Sequence, residues 1–420
     1  MTTTKNNEHK KLNFPNEQEQ SQACLNSAEH EKNQGRKVLN VPNLRFKEFQ
    51  GEWKYFLIND VCSEFKSGKS IKADSVFECG EYPVYGGNGL RGYTSSYNHE
   101  GSYVLIGRQG ALCGNVRSVY GKTYITEHAI AVAGNEKSNT SFLHYLFLKM
   151  NLGQYSDQSA QPGLAVNKLL KLKVALPIIS EQTKIAKLLS LLDERISTQS
   201  KIIDKLQSLI KGLEDNLLDN PLWEKTYLRS FMQFFSTNSL SWEQLSYKEG
   251  AIRNLHYGLI HGFQTRGINS ASLPMIKNEA IPKQYTLCQV GDVAFADASE
   301  DTGEIAKSVE FVDTIEGDTI CGLHTIHGRD IKNRTVVGFK GFAFNSRYFH
   351  NQIKRLAQGT KVFSITANNL SSCYVYLPDL DTQTVIVRLL KSYEEQLIID
   401  RMIFKQYEKQ KQYLLRQMFI

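Results

Sequence analysis

The residues that come nearest to a recognition chemistry are Gly107, Arg108, Gln109 and Gly110, which put an arginine and a glutamine on one tight turn. In a major groove arginine pairs bidentately with guanine and glutamine with adenine, so this pair is equipped to read base edges. Residues 101–126 around it carry three basic side chains, Arg108, Arg117 and Lys122, and no acidic one. The segment Tyr85, Gly86, Gly87, Asn88, Gly89, Leu90, Arg91, Gly92, Tyr93 adds a glycine-rich, aromatic loop able to approach a duplex closely; a plain surface turn is its ordinary alternative. Further on, residues 329–361 hold eight basic residues (Arg329, Lys332, Arg334, Lys340, Arg347, Lys354, Arg355, Lys361) against Asp330 alone. Basic stretches interleaved with Gly, Tyr, Phe, Asn and Gln neutralise phosphates and reach bases, although solvated surface charge has the same composition. The candidate DNA-binding residues are therefore Lys69, Arg91, Tyr93, Arg108, Gln109 and Arg117 in the first half, and His261, Gln264, Arg266, Arg329, Lys332, Arg334 and Lys361 in the second, beside His256 and Asn333. His128 and His324 recur in matching strand-like contexts, as a shared contact or, more ordinarily, as half-buried histidines that satisfy the fold.

Catalytic constellations fail one by one. Ser67, Gly68, Lys69, Ser70 ends like a phosphate-binding loop, but Ser63 stands where its first glycine belongs. Asp219, Asn220, Pro221, Leu222, Trp223 lacks the second proline of the Asn-Pro-Pro-aromatic signature of amino-group methyltransferases, and a helix stop followed by a turn explains it. The acidic set Asp297, Glu300, Asp301, Glu304 with Lys307 lacks the Glu-x-Lys spacing of a metal nuclease. A solvated loop, or a carboxylate accepting from a cytosine amino group, suits it better. Seven scattered cysteines show neither zinc nor disulfide spacing and read as reduced structural thiols, and no Gly-x-Ser-x-Gly is present. The expectation is a binder without catalytic residues, metal or cofactor of its own.

These candidates must be positioned by something, and a repeat supplies it. Setting Pro177 on Pro378, 201 residues apart, pairs Asn167 with Asn368, Leu176 with Leu377, Gln182 with Gln383, Thr183 with Thr384, Ile185 with Ile386, Leu189 with Leu390 and Leu213 with Leu414. Each copy has an apolar stripe stepping by four and three. The first is Ile185, Leu189, Leu192, Ile196, Gln199, Ile203, Leu206, Ile210, Leu213, Leu217; the second is Ile386, Leu390, Tyr393, Leu397, Asp400, Phe404, Tyr407, Lys411, Leu414, Met418. A 3.5-residue repeat keeps one face toward a partner helix along its length, the coiled-coil condition. Both stripes break at the same place, Gln199 and Asp400, and a polar group in a seam fixes register, so the two helices are expected to pack on each other. At ~1.5 Å per residue, residues 181–218 would extend about 57 Å.

The chain of 420 residues, 41% hydrophobic with a net charge of +7, is long enough for two cores. No run suits a membrane helix and no signal peptide opens it, which predicts a cytoplasmic protein. Residues 1–40 read as a disordered polar arm, 41–176 as a first globule, 177–220 as a long helix, 221–378 as a second globule and 379–420 as a second long helix. Strands are predicted at 103–106, 292–296, 308–312 and 336–339, and helices at 142–150 and 346–356. Weak echoes relate the globules, Gly101 with Gly291 and His128 with His324. The fold class is α+β: two globules joined by two long antiparallel helices in a coiled coil with a pseudo-twofold.

Over residues 41–420 the chain resembles the DNA specificity subunits of type I restriction-modification systems. The resemblance is carried by Val41, Pro42, Asn43, Leu44, Arg45, Phe46 through Gly51, Glu52, Trp53; by Tyr82 to Gly89 and Gly107, Arg108, Gln109, Gly110, Ala111; by Gly291, Asp292, Val293; and by Ala357, Gln358, Gly359, Thr360, Lys361. Pro177 with Glu181, Gln182 and Ile185 looks like that family's helix start, and the second copy departs from it with Thr382 in place of Glu181. The resemblance implies that the globules are two target recognition domains, each reading half of a split sequence in double-stranded DNA. It implies that the helices dock two methyltransferase subunits, which bind S-adenosylmethionine and methylate adenine after base flipping, while restriction or motor subunits use ATP and Mg to cleave DNA. It fixes no base-contacting position. A coiled-coil protein-interaction scaffold that does not recognise DNA is the alternative from another class.

Overall fold

The computed structural model describes residues 39–156, 162–263, 267–268, 270–313, 315 and 317–420. Nearly all of the expected polar arm, together with Gln264 and Arg266, lies outside the described residues. The described chain forms two compact units: one runs to Ser190 and is completed by Gln412–Ile420, and the other is Leu191–Lys411.

The first unit contains β1 (Lys54–Leu57), α1 (Ile58–Val61), β2 (Cys62–Ser67), β3 (Tyr82–Gly86), β4 (Gly89–Thr94), β5 (His99–Gly107), β6 (Val116–Ile125), β7 (Ala129–Gly134), α2 (Thr140–Met150), α3 (Val166–Leu169), β8 (Lys173–Leu176) and the start of α4 (Ile179–Leu218). Six strands form one sheet in the order β2-β7-β5-β6-β3-β4, and β1 pairs antiparallel with β8. Side chains alternate across a strand. Val104, Ile106, Ile130 and Val132 thus join Phe142, Leu143, Leu146 and Phe147 of α2 in the main core. Leu105, Ala129 and Ala131 meet Val119 and Ile125 on the other face. The Asn139 side chain starts α2 by accepting from Phe142 N at 3.0 Å. Trp53, 2% exposed, packs edge-on against Phe142 and Phe419, whose ring centroids lie 6.0 and 6.4 Å away.

The second unit carries the rest of α4, then β9 (Glu224–Tyr227), β10 (Met232–Phe235), β11 (Leu245–Ser246), β12 (Arg253–Leu255), α5 (Tyr257–Gly262), β13 (Gly267–Ile268), β14 (Met275–Ile276), β15 (Val293–Ala296), β16 (Ala298–Ser299), β17 (Ser308–Phe311), β18 (Thr319–Cys321), β19 (Thr325–Asp330), α6 (Phe339–Ala343), α7 (Arg347–Leu356), β20 (Phe363–Ser364), α8 (Ala367–Ser372), β21 (Tyr374–Leu377) and α9 (Leu380–Gln417). Its main sheet runs β10-β19-β15-β17-β13, a small sheet runs β11-β14-β12-β18, and β9 pairs with β21 as β1 does with β8. Strands β10, β19, β15 and β17 repeat the order and antiparallel sense of β2, β7, β5 and β6. The strand expected at 336–339 is absent: Gly338, at φ 94, starts α6 there. A short apolar run of four does not distinguish a buried strand from a buried helical turn.

The long helices form as the stripes predict, α4 with 40 residues and α9 with 38. Every position of both stripes is buried or half-buried, whereas their neighbours Leu191, Ile202 and Leu209 are 43–48% exposed. Within the second unit Gln199 Nε2 donates to Asp400 Oδ1 at 2.8 Å and to Asp400 O at 3.2 Å, and Lys411 pairs with Asp193 at 2.6 Å. Rising numbers on one helix meet falling numbers on the other, so the pair is antiparallel. Gln199 and Asp400, equivalent in the repeat, face each other, as residues on a local twofold between two antiparallel helices do.

The helix starts repeat to the atom. Buried Gln182 accepts from Asn139 N at 2.8 Å and donates to the carbonyls of Lys137 and Pro177, both at 2.9 Å. Buried Gln383 accepts from Val336 N at 3.0 Å and donates to the carbonyls of Arg334 and Pro378, both at 3.0 Å. The exchange of Glu181 for Thr382 has a local cause. Glu181, fully buried, takes a bidentate contact from Arg45, with both bonds at 2.7 Å. Thr382 instead donates to the capping Asp379, through its N at 2.8 Å and its Oγ1 at 2.7 Å. Among the described residues no helix is long and apolar enough to cross a membrane.

Candidate nucleic-acid interface

In the first unit the singled-out residues gather around the turn that links β6 to β7. Thr126 N donates to Tyr85 O at 2.9 Å, and Lys69 N donates to Ile125 O at 3.0 Å, which brings the ends of β3 and β2 to that turn. The β3–β4 turn closes over it. A Cβ added to Gly87 would lie 2.8 Å from His128 O and 3.5 Å from the Cα of Gly107, so only glycine permits this approach. Gly89, at φ 105, lies under the Arg117 guanidinium, which an added Cβ would meet at 3.2 Å, and the Arg91 stem lies against Gly86. Arg108 N donates to His128 O at 2.9 Å, and the exposed His128 ring places Nδ1 3.4 Å from Gln109 Oε1. Lys69, Arg91, Arg108, Gln109, Arg117 and His128 thus form one neighbourhood. Lys69, Arg91 and Arg117 are exposed, Arg108 is half-exposed, and among the described residues none of these four makes an ion pair. Free cations on glycine-rich backbone are what a phosphate chain can approach. Tyr93 stands apart, half-buried and bridged through its backbone to Phe77.

The second unit rebuilds the same loop with different chemistry. Gly107 N bonds Asn115 O at 2.8 Å and Gly114 N bonds Gly107 O at 2.7 Å; the corresponding bonds are Ala296 N to Lys307 O at 2.9 Å and Ala306 N to Ala296 O at 3.0 Å. Ala306 even keeps the left-handed backbone, φ 56 against 86 at Gly114. Asp297 N donates to His324 O at 3.1 Å as Arg108 N does to His128 O, and Ile365 N donates to Asp297 O as Leu164 N does to Arg108 O, both at 2.9 Å. The positional counterpart of Arg108 is therefore Asp297, and the acidic stretch Asp297, Glu300, Asp301, Glu304 occupies the loop that carries Arg108 and Gln109 in the first unit. His324 Nδ1 lies 3.0 Å from Asp297 Oδ1. Glu304 Oε2 holds His261 Nδ1 at 3.3 Å and Lys307 Nζ at 3.1 Å. Burial pushes the Glu304 carboxyl up, but Lys307 and His261 outweigh it and keep it below the usual carboxylate range.

Four of the eight basic side chains expected over residues 329–361 are paired with acids from elsewhere in the chain. Arg329 binds Asp292 with Nε and Nη2 at 2.8 and 2.7 Å and lies over Phe235. Arg334 pairs with Glu224 at 2.6 Å on the surface, buried Lys340 with buried Glu310 at 2.9 Å, and Arg347 with Asp215 at 3.7 Å. Lys332 and Lys361 are exposed, with Lys361 beside β20, which pairs with β16 in the acidic loop. The linear charge run overstates the free charge because acids from distant segments fold onto half of it. The loop equivalence was missed because the echo of Gly101 with Gly291 is out of register by one residue; the His128 and His324 echo was in register and marked the right place. A further repeat was overlooked: Trp53 and Trp223 precede β1 and β9 at the same step.

Residues 50–208 match the family model of the type I restriction modification DNA specificity domain. The chain is 43% identical over 154 residues to the type I restriction enzyme EcoprrI specificity subunit of Escherichia coli, covering 36% of this chain and 38% of that one. It is 25% identical over 408 residues to the type I restriction enzyme MjaVIII specificity subunit of Methanocaldococcus jannaschii, covering 88% and 94%. In fold it is similar to the crystal structure of a type I restriction-modification system S subunit from M. genitalium, with a TM-score of 0.62 at 15% identity, over 90% of this chain and 99% of that one. The chain spans under two-fifths of the length of the first curated relatives it matches. The resemblance drawn from the motifs stands on these matches, as does the fold class of two α+β units with two long helices.

Proposed function

We propose that this chain is the DNA-reading specificity subunit of a cytoplasmic type I restriction-modification complex, without catalytic residues of its own. Each unit reads one half of a split target, and partner subunits act on what is read. Two methyltransferase subunits holding S-adenosylmethionine methylate adenine at N6, and restriction subunits using ATP and Mg cleave. The observation that carries this reading is the loop shared by both units, with Arg108 and Gln109 in one and Asp297 and Glu304 in the other. One backbone frame presents guanine- and adenine-seeking groups in the first unit and carboxylates suited to a cytosine amino group in the second. A single conserved ligand would not call for opposite charges on the same frame; two different half-sites would.

The test is binding of the full chain, alone and with its methyltransferase partners, to duplex libraries by fluorescence anisotropy at several salt concentrations. Arg108→Ala is expected to weaken binding by ~1–3 kcal/mol and relax preference at one base pair of one half-site, and Asp297→Ala to relax the other half-site. Lys69→Ala is expected to weaken all sequences alike and lower the salt slope by about one. Affinity and preference untouched by Arg108→Ala and Asp297→Ala together would remove the assignment, and salt-independent binding would favour a protein-binding scaffold.

A further inference from the structure

The second unit brings together three soft donor groups that are far apart in sequence. Cys288 lies in the loop before β15, Cys321 ends β18, and His327 lies in β19; they are 7%, 3% and 1% exposed. Their donor atoms all lie within 4.8 Å of one another, and the two Sγ atoms are 3.6 Å apart. Two thiolates on one tetrahedral zinc, each at ~2.3 Å, stand about 3.8 Å from each other, so the sulfur pair already has the required span. The backbone holds it there: Cys288 N donates to Thr319 O at 2.8 Å, and Leu287 bridges Ile320.

The surroundings complete the pattern. His327 Nε2 donates to Asp292 Oδ2 at 2.7 Å, and Asp292 is itself fixed by Arg329 and by Gln289 N at 2.8 Å. A carboxylate behind an imidazole is the arrangement that orients metal-ligating histidines and raises their basicity. Beside Cys321 and His327 opens a cavity of about 160 Å³ lined also by Asn238 and Tyr285, with room for a water as fourth ligand. Two thiolates and a neutral imidazole balance a divalent charge, so a bound dication would leave the donor set neutral.

We propose that Cys288, Cys321 and His327 form a binding site for a soft divalent cation, zinc by its ligand chemistry, with water in the fourth position. The cation replaces the two thiol protons, which leave to solvent, and two metal–sulfur bonds form with no change of oxidation state. It staples the 287–292 loop to β18 and β19, and so fixes one side of the second unit without touching the Asp297 loop.

Cobalt(II) reports on such a site directly. The reduced full chain, stripped with chelator, is titrated with cobalt(II) and then zinc(II). The expected result is a thiolate-to-cobalt charge-transfer band and tetrahedral ligand-field bands that saturate at one cobalt per chain and vanish on adding zinc. Cys288→Ser and Cys321→Ser should each weaken cobalt binding about tenfold or more, while Cys79→Ser, an exposed cysteine, leaves it unchanged. No charge-transfer band from a chain whose thiols titrate as reduced would overturn the proposal, and this readout needs no variant to fold. A mass loss of two hydrogens on air oxidation, showing that the two sulfurs close into a disulfide in preference to binding added zinc, would overturn it as well.

Discussion

Gln199 and Asp400 interrupt two otherwise apolar stripes, and their contact is open to a double-mutant cycle. Gln199→Leu removes the donor that serves Asp400 Oδ1 at 2.8 Å and Asp400 O at 3.2 Å, leaving Gln396 Nε2, at 3.1 Å from Oδ2, as the carboxylate's hydrogen-bond partner. Both residues are nearly buried, at 8% and 7% exposure. Stripping a buried acceptor costs ~1–3 kcal/mol, with a charged group toward the top of that range, so Gln199→Leu should cost about 2–3 kcal/mol. Asp400→Leu strands an amide instead and should cost about 1–2 kcal/mol. The double leucine variant turns the same position into an ordinary seam layer, where burying each side chain contributes ~1.5–3 kcal/mol, and should come out level with the parent or above it. The cycle therefore predicts a coupling of about 3–5 kcal/mol, the sum of the two single losses that the double variant does not show, read from urea midpoints at constant slope. Register is the second readout. Cysteines replacing Asp193 and Lys411 should cross-link efficiently in the parent and less selectively in the double leucine background, because the polar pair no longer penalises a slipped seam. Additive single effects, or a Gln199→Leu variant as stable as the parent, would refute the argument that this contact is an obligatory buried pair.

Two other outcomes follow from the geometry. Gln182→Leu and Gln383→Leu each orphan one buried amide and two carbonyls in the same arrangement, so both should cost about 2–4 kcal/mol in thermal or urea unfolding; a large loss at one and none at the other would contradict their equivalence. His256 caps α5 by accepting from Gly258 N at 3.2 Å, and burial, then the nearby His324, holds its pKa below the ordinary histidine value. The folded value lies below the unfolded one, so the stabilisation is complete above pH ~6.5 and is lost as pH falls toward the folded value. His256→Asn, which keeps a capping oxygen, should flatten that decline in the unfolding midpoint, and an unchanged pH slope would rule His256 out as its source.

What could be read from the sequence was whatever depends on spacing along one element. The heptad stripes, the break at Gln199 and Asp400, and the strands β5, β15 and β17 all follow from local periodicity, which the chain displays directly. The run 336–339 does not form the expected strand because it is Val-Val-Gly-Phe, with Phe339 alone buried and Val337 45% exposed, and so short a run carries no period. The basic run 329–361 is half paired for a different reason: Glu224, Asp292, Glu310 and Asp215, which reach it only through the fold, take up four of its eight basic side chains. Cys288 and Cys321 show no motif spacing at all, yet β18 and the loop before β15 lay them side by side. Pairing between distant segments is the information that a one-dimensional pattern does not hold.

The contrast between the two loops also says which parts of the molecule were free to change. Gln182 and Gln383 satisfy the same three backbone groups, and any substitution there strands buried polar atoms, so the helix starts stayed alike. Glu181 and Thr382 differ because each has its own compensating partner, Arg45 or Asp379. At positions 108 and 297 neither constraint applies: the backbone bonds that shape 107–115 and 296–307 are made by main-chain N–H and C=O groups, which the side chains at these two positions do not supply. Arginine can therefore become aspartate at the Arg108 and Asp297 position without cost to the frame. A frame whose shape is set by its backbone and whose chemistry is set by exposed side chains can change what it contacts by substitution alone.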